Sequence, residues 1–438
     1  MNDPAAGVAT ALLAGPWERP PMVRRVAVSL GLPRAPRWVG TLVGEVLAAY
    51  QQAPRDRPRE LAGFVTSTRG WAAGADAVRR PVHRQPRPTV VVRRPFPVDD
   101  VPDLQALARL LDLDQGELAW FADVRGLERT VSEPLRHYRW RAVHRPTGSR
   151  LLAAPKPRMK EAQRRLLRHL LAAVPPHDSA HGSVPGRSVR TALAPHAGAD
   201  TLLHLDLEAF FASIPASRIW GLLQGTAGLT EPVAHTVTGL VTTVVPVRVW
   251  RDLPLPSAST DQDRHHRLGR RLAVPHLPQG APTSPALANL ACFRLDRRLT
   301  GLAAAHGATY TRYVDDLLLS GGQDTVRLVG AVQAIARDEG FRLHAGKTRV
   351  LRASQRQQAL GAVVNVRPAL PRRERDALRA LLHNCARHGW HTQVRGRDPA
   401  TFREHVLGRV AWATSLDPRS GARLRELADR VDWSAPPD

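Results

Sequence analysis

The sequence predicts an α+β protein, and two patterns that recur along its 438 residues carry that reading. Long stretches place apolar residues at helical spacing, among them residues 23–32, 38–50, 99–121, 286–299, 326–341 and 372–431. Short apolar runs without that spacing, Leu202-Leu203-His204-Leu205-Asp206-Leu207 and the two flanks of Asp315-Asp316, read as buried strands. At ~100–200 residues per domain the chain holds two or three domains.

Taken in order, residues 1–80 form an N-terminal helical extension whose helices are bounded by proline breaks such as Arg19-Pro20-Pro21 and Pro33. Residues 81–98, with Pro81, Pro86, Pro88, Pro95 and Pro97 among arginines and valines, read as an extended linker. A small helical module follows, its stripe formed by Leu104, Leu107, Leu110, Leu111 and Leu118. Residues 138–155 alternate as a hairpin turning at Pro146-Thr147-Gly148-Ser149. Lys156, Arg158, Lys160, Arg164 and Arg165 then open a helix that reads either as a phosphate grip or as a solvated basic face. Residues 219–245 are helical, and 257–271 read as a polar loop carrying His265 and His266. Residues 359–365 read as one strand, and the chain ends in a compact helical unit.

Charge narrows the partners. The chain has 63 Lys+Arg against 39 Asp+Glu, a net charge of +24, which points to a polyanion, with nucleic acid foremost; arginine-rich surface composition is the plainer alternative. Only Lys156, Lys160 and Lys347 are lysines, in a chain whose other basic residues are arginines. Cys292 and Cys385 are far apart and lack CxxC spacing, so neither a disulfide framework nor a cysteine zinc site is indicated. No apolar stretch of ~20 residues and no signal-peptide pattern occurs, so the expected location is soluble and cytoplasmic.

The chemistry concentrates at Tyr313-Val314-Asp315-Asp316. Apolar residues on both sides make the aspartates the tip of a hairpin, where carboxylates can meet hard divalent cations that take oxygen ligands. A two-metal site needs a further acid, and Asp206 at the end of an apolar strand pays a desolvation cost unless it is paired or holds a metal. Turn chemistry for Asp315-Asp316 and a helix cap for Asp206 are the bland alternatives. In Leu277-Pro278-Gln279-Gly280-Ala281-Pro282-Thr283-Ser284-Pro285, the glycine suits close approach of backbone to a ligand and the Ser-Pro step starts a helix.

Asp206 with Phe210-Phe211, the Leu277–Pro285 run, Tyr313–Asp316 and Lys347-Thr348 together, in this order and spacing, resemble the palm motifs of reverse transcriptases. Ser179-Ala180-His181-Gly182, Gly186-Arg187-Ser188 and Val363-Val364-Asn365 resemble the bacterial retron type. The resemblance implies a right-hand polymerase architecture, with fingers and palm over 99–366 and a helical thumb over 367–438. It implies two Mg²⁺ ions on Asp206, Asp315 and Asp316, and Phe211 as the filter against a 2′-hydroxyl. Gln279 and Gly280 would hold the templating pair, Arg150 and Lys156 the incoming triphosphate, and Lys347 would protonate the leaving pyrophosphate. The implied partners are a structured non-coding RNA that serves as template and primer, its DNA product, dNTPs and an effector protein within antiphage defence, with no membrane. Two motifs depart from the retron pattern: Ala192-Leu193-Ala194-Pro195-His196 keeps only the histidine of Asn-Ala-x-x-His, and Ala359-Leu360-Gly361 replaces Val-Thr-Gly. The departures leave open a relative that makes DNA without a fixed template, or a nucleic-acid-binding scaffold.

Overall fold

The computed structural model describes residues 4–54, 57–74, 96–123, 126–145 and 148–434. The expected linker at 81–98 lies almost wholly outside the described residues.

The N-terminal helices are α1 (Pro4–Leu13), α2 (Arg19–Ser29), α3 (Arg37–Ala49), α4 (Pro58–Ser67) and α5 (Arg69–Gly74). They bury a core of their own, including Val8, Leu12, Met22, Val26, Leu42 and Leu61. Trp17, Trp38 and Trp71 pack against it, as apolar bodies with a polar edge do; the Trp17 indole N–H donates to the Tyr50 carbonyl at 3.0 Å.

The second unit opens with α6 (Leu104–Leu111) and α7 (Gln115–Phe121). Asp103 caps the first and an Asp114/Glu117 capping box starts the second, satisfying backbone N–H groups that a helix start leaves open. A long antiparallel hairpin, β1 (Tyr138–Arg145) and β2 (Gly148–Pro155), leads into α8 (Pro157–Leu166) and α9 (Val189–Leu193). Then come β3 (Thr201–Asp206), α10 (Ala216–Gly225), α11 (Glu231–Val241), α12 (Val247–Arg251) and α13 (Ser259–Leu272). The segment expected as a polar loop at 257–271 is therefore mostly helix.

Helices α14 (Ser284–Ala291) and α15 (Phe293–Ala305) precede β4 (Thr309–Tyr313), β5 (Asp316–Gly321), α16 (Val329–Asp338) and β6 (Arg349–Arg352). The central antiparallel sheet has the order β4-β5-β3-β6. Both of its faces are covered, which explains the near-continuous apolar run in β3. Leu203, Leu205, Leu317 and Leu319 join the main core with α14–α16, while Leu202 and Leu318 on the opposite face join Leu193, Ala359, Val364 and Leu416. Asp206, His204 and Asp316 belong to that second face by strand alternation.

Residues 359–365 are not one strand. β7 (Gln358–Ala359) and β8 (Ala362–Val363) form a minute hairpin, turned at Leu360 and Gly361 with φ +50 and +79. Two successive positive φ values are what a tight type I′ hairpin turn requires. The chain ends in α17 (Arg372–His388), α18 (Pro399–Leu416) and α19 (Pro418–Asp429), which bury Leu378, Leu382, Phe402, Val406 and Leu424 together.

Candidate active site

Strand register brings the acids together. Asp206, the last residue of β3, lies opposite Asp316, the first of β5. The two-residue turn Val314-Asp315 closes the β4–β5 hairpin, and the Leu207 N–H donates to the Asp315 carbonyl at 2.9 Å. Val314 holds φ +58, a conformation that costs a β-branched residue energy and persists only where its surroundings fix it.

Those surroundings are identifiable. Arg312 is fully buried and gives Nε and Nη2 to the buried Asp296 carboxylate at 2.8 and 2.7 Å. Its Nη1 donates to Asn289 Oδ1 at 3.0 Å and to the Val314 carbonyl at 2.9 Å. Gly182 lies against the same turn: a Cβ there would stand 2.5 Å from Val314 Cγ2 and 2.6 Å from Val314 N, closer than real contacts allow. The Ser179–Gly182 stretch is also bonded to β4, through Arg312 N–H to the Ser179 carbonyl at 2.7 Å and His181 N–H to the Arg312 carbonyl at 2.8 Å. His196 is a buried brace between strands, its ring bonded to Ser320 Oγ and Thr311 Oγ1 at 2.7 Å each, and burial pushes its pKa down to about 4. Of these, Arg312 and Asp296 had no functional reading from sequence; an arginine inside an apolar strand was the available signal.

Asp315 titrates above the ordinary carboxylate range, first because it is buried and then because Asp316 and Asp206 repel its charge. Two partners hold its neighbours. Lys347 Nζ donates to Asp206 Oδ1 at 2.6 Å, and His204 Nε2 pairs with Asp316 Oδ1 at 2.6 Å. The His204 Nδ1 is buried with no hydrogen-bond partner among the described residues.

A cleft of about 530 Å³ lies over this centre and is lined by Asp206, Asp315, Asp316, Phe211, Gln279, Arg150 and Lys347. Phe210 is anchored in the core and stacks on Phe341, which leaves the adjacent Phe211 on the cleft wall. The Gln279 carbonyl accepts from Ala153 N–H at 2.8 Å, tying this loop to β2. Gly280, at φ +129, allows close approach to the β2 backbone: an added Cβ would stand 2.9 Å from the Ala153 carbonyl oxygen. Lys156 is not among the cleft residues; its ammonium donates to the carbonyls of Glu133 and Pro134 at 2.8 and 2.9 Å. A larger hollow of about 820 Å³ lies away from the acids, between the start of α4 and the Phe121–Tyr138 region.

Among the described residues no three His, Cys, Asp or Glu side chains close into a ready-made metal cage. The donor set still fits hard divalent cations, since three carboxylate side chains converge and the mutual repulsion that helps raise the Asp315 pKa would be relieved by a bound cation.

A strand ending in one acid is thus set against a hairpin carrying two more, beneath a cleft that also holds Arg150 and Lys347. The family profile described as reverse transcriptase (RNA-dependent DNA polymerase) matches residues 143–364, from β1 to β8, and the chain belongs to that family. Retron reverse transcriptases are among its relatives. The retron Mx65 reverse transcriptase of Myxococcus xanthus is 42% identical over 299 residues, covering 67% of this chain and 64% of that enzyme. The retron Mx162 reverse transcriptase of the same organism is 35% identical over 381 residues, 82% of this chain and 73% of the enzyme. The retron Ec86 reverse transcriptase of Escherichia coli is 27% identical over 321 residues, 72% and 84%. The chain thus spans just under two thirds of the length of the Mx65 enzyme. No helix among the described residues is long and apolar enough to cross a membrane.

Proposed function

We propose that this chain copies a cognate structured RNA into DNA, with the central sheet as palm, β1–β2 and its helices as fingers, and α17–α19 as thumb. The observation that supports it best is the juxtaposition of Asp206, Asp315 and Asp316 through strand register beneath a cleft that also holds Phe211, Gln279 and Arg150. Asp206 and Asp315, with Asp316 completing the set, would hold two Mg²⁺ ions, which would activate the primer hydroxyl and neutralise charge on the nucleotide phosphates. Arg150 lies near enough to Asp315 to stabilise its charge, and its planar guanidinium suits a triphosphate. Phe211 would close the space a 2′-hydroxyl needs. Lys347, poised 2.6 Å from Asp206, would give a proton to the departing pyrophosphate.

The test is incorporation of dNTPs on an RNA template with Mg²⁺, comparing the wild-type chain with the Asp315→Ala/Asp316→Ala variant. Incorporation by the wild type alone supports the reading; none by either, or equal incorporation by both, refutes it. Sequencing the copurified nucleic acid tests the cognate RNA. One RNA joined to one DNA species is expected, and random-sequence DNA would point instead to synthesis without a fixed template.

A further inference from the structure

Helix α13 carries a row of arginines turned toward the segment that follows Asp206. Arg267 Nε meets Glu208 Oε1 at 3.3 Å, and Arg271 Nη1 donates to the Glu208 carbonyl at 2.9 Å. Both are spent on fixing the chain beyond the catalytic strand. Arg264, one turn earlier, differs: it lines the cleft itself, with Asp206, Asp315 and Lys347.

Its position is set from two sides. One arm pairs with Asp261 on the same helix, and Nη1 donates to His344 Nε2 at 2.8 Å. His344 in turn gives its backbone N–H to the Asp206 carbonyl at 2.8 Å, and its own carbonyl accepts from Lys347 N–H at 3.0 Å. Arg264 is therefore registered to the metal-binding aspartate and to the proton-donating lysine through a single intervening residue. A guanidinium carries five N–H donors in a rigid fork, and these two contacts use two of them. The side chain keeps about a quarter of its exposure, directed at a cleft otherwise crowded with carboxylates. A polyanion held over those carboxylates gains from each cation on the lining, Arg264 as well as Arg150.

We propose that Arg264 is a further substrate-binding residue, whose guanidinium contacts the terminal phosphates of the incoming nucleotide and the pyrophosphate formed from them. Asp261 holds that guanidinium in readiness and competes with the phosphates for it. The contact is to the small-molecule phosphates and not to the RNA backbone.

Single-nucleotide incorporation and pyrophosphorolysis on a primed RNA template, using the full chain, test this. In Arg264→Gln the KM for dNTP and the KM for pyrophosphate should each rise about tenfold or more, the worth of one charge-assisted hydrogen bond, with the Kd for primed RNA unchanged. Asp261→Asn should move pyrophosphate the other way, to a lower KM and stronger product inhibition, because the competing carboxylate is gone. The proposal is overturned if both KM values stay put in Arg264→Gln, if RNA affinity falls in their place, or if Asp261→Asn weakens pyrophosphate binding as a merely structural ion pair would. Should Arg264→Gln not fold, the direction of the pyrophosphate shift in Asp261→Asn alone supports or overturns the proposal.

Discussion

Replacing Arg312 by methionine is the most informative single perturbation of the hairpin that carries Asp315 and Asp316. The wild-type side chain is fully buried and makes four short hydrogen bonds, two to Asp296, one to Asn289 and one to the carbonyl of Val314. Arg312→Met leaves the Asp296 carboxylate in the core with only Tyr310 O–H, at 2.8 Å, among its side-chain partners. Breaking a buried pair in this way costs about 3–5 kcal/mol, whereas replacing both partners by apolar residues is often close to neutral. At roughly 2–4 °C per kcal/mol for a domain of this size, the variant should melt about 6–20 °C lower. The double variant Arg312→Met/Asp296→Leu should recover most of that loss, a coupling of roughly 2 kcal/mol or more in a double-mutant cycle. Primer extension should behave differently, because the Val314 carbonyl lacks its donor in both variants. Activity is expected to stay low in the double variant although its melting temperature returns. A single variant that loses less than about 1 kcal/mol, or a double variant as unstable as the sum of the two, would refute the account of the pair. Recovery of activity together with stability would refute the role given to the Val314 bond.

Other outcomes are as concrete. Gly182→Ala should lower primer-extension activity more than it lowers thermal stability, since its Cβ must displace Val314 in the turn; overpacking of this kind costs about 1–3 kcal/mol, and an unchanged rate would show that the turn yields freely. Glu128, which accepts the His137 backbone N–H in a buried setting, has its pKa raised by burial from 4.5 to about 7. Because the folded-state pKa lies above the unfolded one, the wild type should be most stable below pH 4.5 with respect to this group and lose up to about 3 kcal/mol as pH rises to 7. Denaturation midpoints across that range should flatten in Glu128→Gln, and an unaltered slope would mean that another group carries it. His204→Phe removes the partner of Asp316 and should raise the Mg²⁺ concentration for half-maximal incorporation several-fold with little change in RNA affinity; an identical Mg²⁺ curve would rule out a positioning role. Phe211→Val should narrow the preference for dNTP over rNTP, measured as the ratio of kcat/KM values.

The parts of this site that were legible in the sequence share one physical property: they put an acid where apolar patterning predicts a buried strand. Asp206 announced itself that way at the end of β3; the flanks of Asp315-Asp316 do pair as a hairpin, but its tip falls one residue earlier than expected, at Val314-Asp315, and Asp316 opens β5 opposite Asp206. Helix α13 was misread as a loop because its inward face is not apolar. Arg264, Arg267 and Arg271 are satisfied there by His344, Asp261 and Glu208, so the 3.6-residue spacing exists in charge and escapes a reading based on hydrophobicity. The 359–365 segment failed for a different reason: Leu360 takes a positive φ that its residue type does not advertise, and a hairpin was taken for a strand. Glycine at 280, read as letting the backbone approach a ligand, also permits a close approach to Ala153 of β2 that sequence alone did not show.

The second apolar cluster behind the sheet makes the C-terminal helices mechanically dependent on the catalytic strand. Leu416 at the end of α18 is buried with Leu202 and Leu318, and Trp412 touches both this cluster and the helical core. Any swing of the helical unit must pivot at that seam, because lifting it would wet the back of the strands whose ends carry Asp206 and Asp316. A chimera that exchanges the C-terminal unit at the start of α17 therefore cuts across this seam, separating Leu416 from the residues it packs on. Leu193, Leu202, Leu318 and Ala359 would have to travel with the new unit as the socket to its ball.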